Sequence, residues 1–390
     1  MSTSPSVFTA FDQSEQNPAA LLQQMVEHFR ATRQPLELFE ALKMQIRFKL
    51  GLPVVASENE PRPAEELDQQ LENGLVAACT EVGSMLLEEG RIREGWMYLR
   101  PTGNSKRAAE LLAKIAVTDD NADDLVQVLL HEGVDVARGF QMVLERQGTC
   151  NSITLYDQAI AGRSKSERQA TAALLLDHLY DELLEAVRAD IARRDKQPAG
   201  DAENLAELVD SRRWLFDEGA YHLDTSHLSS VVRFARVLEQ PEQLQKAWEL
   251  TQYGKRLHHQ LQYPGEEPFV DFYPAHSAFF GALLGKQIDN SLALFERKAR
   301  TCDVAEQGTS AIETYVDLLD RIGRPQAAME AAIELVPADV PPARLTPLLL
   351  ELAQKAGTFQ PVYDYCQSKE DVLGYVTART VEAQTESKNA

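Results

Sequence analysis

Cysteine is scarce, with four in 390 residues. Cys79, Cys150, Cys302 and Cys366 fall in separate segments, and none stands at CxxC spacing. That leaves no zinc motif, and it reads as reduced thiols rather than a disulfide framework. Long apolar runs are missing too. No stretch approaches the ~20 apolar residues of a membrane-spanning helix. The opening MSTSPSVFTAFDQSEQN lacks a basic region and an apolar core, so no signal peptide is expected there. Basic residues are outnumbered, 39 against 60 acidic, for a formal net charge of −21. Such a surface repels nucleic-acid phosphates and anionic headgroups and steers toward basic partners. A cytoplasmic chain follows, with no nucleic acid and no membrane as partner. The glycine-rich phosphate loop, the G-x-S-x-G elbow and H-E-x-x-H are all absent. No stretch alternates apolar and polar residues long enough for a strand.

What is present is helical periodicity. From Tyr221 to Leu257 the chain spells two amphipathic helices. Leu228, Val231, Val232, Ala235 and Leu238 recur at spacings of three and four, after a polar start at Asp224, Thr225 and Ser226. Pro241 suits the first turn of the second helix, whose stripe is Leu244, Ala247, Trp248 and Leu250. Similar units fill most of the chain. Residues 1–16 read as a flexible tail, 17–196 as one helical-hairpin array and 204–383 as a second, and 384–390 as a frayed end. A single helix of about 30 residues is expected from Ser164 to Arg194, some 45 Å long. The stretch DKQPAGDAE (195–203) reads as a linker between the arrays. Residues 258–273 hold two prolines, a glycine and four aromatics, and read as a long structured loop.

Two units near the C-terminus superpose. VDLLDRIGRPQAAMEAAIEL (316–335) and LELAQKAGTFQPVYDYCQSK (350–369) place Gly323 and Gly357 34 residues apart. Ala328 is the small residue five positions after Gly323, and Pro337 closes the unit. GRIREGWMYL (90–99) has a similar turn, with Gly95 as its small residue. These features resemble the tetratricopeptide-repeat family over about a quarter of the chain, although most consensus aromatics of the first helix are missing. The resemblance implies an all-α fold, a right-handed α-solenoid of stacked antiparallel helical hairpins. It also implies a scaffold whose groove binds a peptide or protein without turnover.

Five of the eight histidines lie between 222 and 276: His222, His227, His258, His259 and His276. His222, Asp224 and His227 form an H-x-D-x-x-H pattern that could ligate a metal, but Asp224 also stands where a helix cap belongs. The cap is the preferred reading, so no metal or other cofactor is expected. In the 258–273 loop, Tyr263, Phe269, Phe272 and Tyr273 accompany Glu266, Glu267 and Asp271. Aromatics beside carboxylates suit a peptide bearing Lys or Arg, unless the rings fold back into the core. The binding groove is therefore assigned to Tyr221, His222, Asp224, His227, Arg233, His258, Tyr263, Asp271, Tyr273 and His276. The partner expected is a protein or peptide, basic if charge decides. The alternative is an enzyme on an α/α-toroid-like fold, with His222, Asp224, His227 and Glu266 or Asp271 converging on a cavity. His131, Cys150 and Asn151 would suit a thiol nucleophile only if the fold brought them together.

Overall fold

The computed structural model describes residue 11 and residues 17–57, 62–195 and 203–389. Every regular element among them is helical. The expected N-terminal tail, apart from Phe11 and from residues 17 onward, lies outside the described residues. The chain divides into two compact units, Met1–Gly148 and Thr149–Ala390. The division therefore falls well before the stretch 195–203. That stretch belongs to the second unit, and its residues 196–202 lie outside the described set.

In the first unit, α1 (Pro18–Ala31), α2 (Pro35–Lys49), α3 (Glu65–Glu88) and α4 (Ile92–Leu99) each pack on the next. Then α5 (Ser105–Leu112) lies on α3 and α4, and α6 (Ala122–Val126) lies on α4. Asn17 caps α1, its side chain accepting from the Ala20 N–H at 3.2 Å. The α3–α4 pair depends on two glycines facing each other. A Cβ on Gly83 would sit 2.9 Å from the Gly95 carbonyl oxygen, and one on Gly95 would sit 3.0 Å from that of Gly83. Backbones can approach that closely only without side chains. Val26, Leu38, Val82 and Leu86 form one buried cluster, and Leu87, Ile92, Leu99 and Leu112 belong to a second. The next helix, α7 (Val136–Leu155), is interrupted at Gly148, where φ is +77°.

In the second unit, α8 (Lys165–Asp195) is the single long helix expected. Ser164 and Glu167 form its capping box: the Glu167 N–H donates to Ser164 Oγ, and the Ser164 N–H donates to Glu167 Oε2 at 3.1 Å. Its apolar line, Leu175, Leu179, Leu183 and Val187, is fully buried. Helices α10 (Thr225–Phe234) and α11 (Pro241–Gly254) both pack on α8 and on each other. Between α8 and α10 lie α9 (Leu205–Ser211) and a 3-10 segment Arg213–Gly219 that bends at Glu218, φ +56°.

Beyond α11 the chain runs through α12 (Phe272–Leu283), α13 (Ile288–Thr301), α14 (Val304–Gln307), α15 (Ser310–Arg321) and α16 (Pro325–Leu335). It finishes with α17 (Pro342–Ala356), α18 (Gln360–Ser368) and α19 (Val372–Asn389). With the one-turn α14 set aside, each of these helices packs on its neighbours in sequence. Gly323 and Gly357 occupy matching turns, with φ +80° and +69°. The frayed end expected at 384–390 is instead a continuation of α19 as far as Asn389.

Candidate functional site

Helix α11 presents two different faces. One is turned to the core and gathers the aromatic and histidine residues. Tyr253 is its centre. Its hydroxyl accepts the His222 backbone N–H at 2.8 Å and lies 3.0 Å from His222 Nδ1. His222 Nε2 is 3.4 Å from the Asp190 carboxylate. The hydroxyl thus donates to Nδ1, and the ring proton sits on Nε2, facing Asp190. Burial lowers the His222 pKa against the opposing pull of Asp190. Burial works to raise Asp190, but Arg193, His222 and Arg194 together hold it below the usual carboxylate range. Next to Tyr253, Gly254 leaves room for the Tyr273 ring, which a Cβ at Gly254 would overlap. Tyr273 is buried, and its hydroxyl has no partner among the described residues. His276 donates from Nδ1 to the Phe272 carbonyl at 2.9 Å, while Nε2 has no partner among the described residues. Burial pushes the His276 pKa down to about 4.

The other residues assigned to a groove have separate local settings. Asp224 is the N-cap of α10, accepting the Ser226 N–H at 2.8 Å and the Ser226 hydroxyl at 2.6 Å. Those bonds lower its pKa. His227 is half-buried in the first turn of α10. Arg233 pairs with Asp157 at 3.0 Å. His258 is exposed, and its ring lies tilted beside that of His259, with centroids 4.2 Å apart. Tyr221 and Asp271 are exposed. Tyr263 meets Phe272 edge to face at 5.1 Å. Phe272 and Tyr273 belong to α12 rather than to the loop, and their rings fold back into the core. Among the described residues no group of three His, Cys, Asp or Glu side chains could hold a metal ion. Cys150 is exposed.

The second face of α11 is open. Two clefts, of about 550 and 560 Å³, meet along Trp248, Gln252, Lys255 and Lys286, which line both. None of the ten groove residues assigned from the sequence lines either cleft. Gln245, Trp248, Gln252 and Lys255 follow at spacings of three, four and three, one stripe of a helix. Helix α9 walls one side with Glu207, Val209 and Asp210. On the other side α12 offers Pro274, Ser277, Ala278 and Gly281, and their small size opens the space toward Asn290 and Leu294 of α13.

The polar groups of this face are ordered from beneath. Glu249 is buried, and it accepts from the Tyr180 hydroxyl at 2.5 Å, the Leu205 N–H at 3.2 Å and Gln245 Nε2 at 2.7 Å. The amide of Gln245 is oriented by that bond, so its oxygen faces Lys286 Nζ at 3.1 Å. The same ammonium lies 3.4 Å from the centre of the Trp248 ring, a cation–π contact. Lys255 Nζ donates to Gln252 Oε1 at 3.0 Å, and Gln252 Nε2 donates to Ser277 Oγ at 2.8 Å. Burial lowers the pKa of both lysines. The Arg256 charge adds to the effect at Lys255, and Glu249 opposes it at Lys286.

A second pair of clefts, about 530 and 390 Å³, shares Lys165, Glu239, Asp317 and Arg321. Its charges are largely paired internally: Lys165 with Glu239 at 2.6 Å, Arg321 with Asp317 at 3.6 Å, and Lys355 with Asp320 at 2.7 Å. The sequence reading placed Trp248 in the apolar stripe and overlooked Gln252, Lys255 and Lys286. The visible signal was the polar spacing either side of that tryptophan.

Comparison with known proteins returns no match to any family model, any curated protein or any solved structure. No described helix is long and apolar enough to cross a membrane.

Proposed function

We propose that this chain is an interaction protein, a right-handed solenoid of helical hairpins like the tetratricopeptide repeats, which holds a peptide or protein segment without turnover. The single observation that carries the reading is the open face of α11. A tryptophan lies there among amides and ammonium groups that the fold leaves accessible, in clefts lined by three successive helices and α9. Aromatic anchors ringed by hydrogen-bonding groups are what interfaces use for affinity and register. Packing of helices on their sequence neighbours supports the solenoid, since such arrays grow by adding hairpins and leave grooves between them. Groove binding moves, in this reading, from the histidine-rich residues to the stripe Gln245–Lys255.

A photo-crosslinking amino acid at Gln252, with Arg297 as an exposed control position on α13, tests the proposal in cells. One predominant adduct from Gln252 and none from Arg297 is the expected result. Equal labelling from both positions, or none from either, would overturn it.

A further inference from the structure

We infer that the cleft over Trp248 receives an acidic segment of a partner chain, with its carboxylates on Lys255 and Lys286. This deepens the interaction reading above and rests on it. It also reverses the sign that the net charge of −21 suggests.

The inference stands on what lines the cleft. The part between α11, α12 and α13 is walled by Trp248, Gln252, Lys255, Ser277, Lys286 and Asn290, together with small and apolar groups. Among the described residues it is lined by two ammonium groups and no carboxylate, in a chain with 60 acidic residues. Among the described residues neither lysine has a carboxylate within ion-pair distance; each is held by a neutral amide, Gln252 for Lys255 and Gln245 for Lys286. The adjoining cleft does contain acids, but they are committed. Glu207 closes the capping box of α9, and Asp210 pairs with Arg256.

Two partly desolvated cations bonded only to neutral amides, with the buried Glu249 reaching Lys286 through Gln245 and not by direct contact, are an arrangement that an anion in the cleft relieves. Charge-assisted bonds from such groups are stronger than neutral ones. The amides of Gln287 and Asn290 can each donate and accept, which matches the alternating N–H and C=O groups of an extended backbone. Trp248 and Leu294 supply apolar surface for the side chains between the carboxylates. Either of the two clefts, about 550 and 560 Å³, exceeds what a single small anion fills. The acidic surface elsewhere would keep such a partner from binding outside this window.

Fluorescence anisotropy with the full chain tests this. The probe is a short labelled peptide of alternating Glu and Leu, blocked at both ends so that only side-chain carboxylates are present. A second peptide carries Lys in place of each Glu. The expected result is saturable binding of the acidic peptide alone, weakened by salt. The double variant Lys255→Gln/Lys286→Gln should lose about tenfold or more in affinity, with an unchanged melting temperature. Lys106→Gln, an exposed lysine of the first unit, should lose none. Failure of the acidic peptide to bind, equal binding of the Lys peptide, or full affinity in the double variant would overturn the inference. Displacement by inorganic phosphate at the peptide's own concentration would also overturn it and reassign the cleft to a small anion. If the Gln252 adduct forms while the acidic peptide fails, only the acidic chemistry falls. If the Gln252 adduct is also missing, the interaction reading falls with it.

Discussion

At the scale of single residues, the clustered histidines have divergent fates, and burial decides them. His276 is held neutral by its surroundings, with a pKa near 4 against an ordinary 6.5. The folded state therefore takes up its proton later than the unfolded chain as the pH falls. The stabilisation is complete above pH 6.5 and is lost progressively between 6.5 and 4, by at most about 3 kcal/mol. Melting temperature measured across that window should fall less steeply in His276→Gln than in the natural chain; parallel curves would refute the assignment. Tyr273 offers a complementary case. Its hydroxyl is buried without a partner, so Tyr273→Phe should cost nothing or add up to about 1 kcal/mol of stability in urea titrations. A residue count along the sequence treats all these side chains alike. Exposure separates them, and exposure is set by which face of α11 and α12 each one meets.

At the scale of elements, the all-helical character and several helix starts were legible. The apolar stripe of α10, the proline starts of α1, α2 and α11, and the uninterrupted α8 all follow from spacing and capping chemistry. The loop was less legible at its end, because Phe272 and Tyr273 look like loop aromatics until Pro274 is placed in the first turn of a helix. The open face of α11 was misread for a related reason. Trp248 matches an apolar period, and only the position of α9 and α12 shows that it borders a cleft. The tight α11–α12 contact also has a measurable consequence. In Gly254→Ala the new methyl would overlap the Tyr273 ring. Overpacking of about 1–3 kcal/mol should outweigh the gain of about 1 kcal/mol in helix propensity. Chemical denaturation would show net destabilisation, and a stabilised variant would mean that α12 shifts freely.

At the scale of the whole molecule, charge dominates. Sixty acidic residues against 39 basic ones repel one another most in the folded state, where they are closest. Raising sodium chloride from about 10 mM to about 150 mM shortens the screening length from about 30 Å to about 8 Å. Melting temperature should rise by about 2–4 °C over that range, and a fall would indicate that the surface ion pairs outweigh the repulsion. The division at Gly148 was not legible in composition, because helix-forming residues continue on both sides and only a single positive-φ glycine marks it. The Lys286 ammonium seated on the indole of Trp248 gives the chain an optical gauge of its own. Anything that draws that cation off the ring alters the electric field on the excited indole, so occupancy should register as a shift in emission. The shift should vanish in Trp248→Phe and persist when Trp96 and Trp214 are replaced, turning one side chain into a dye-free titration signal for the cleft beside it.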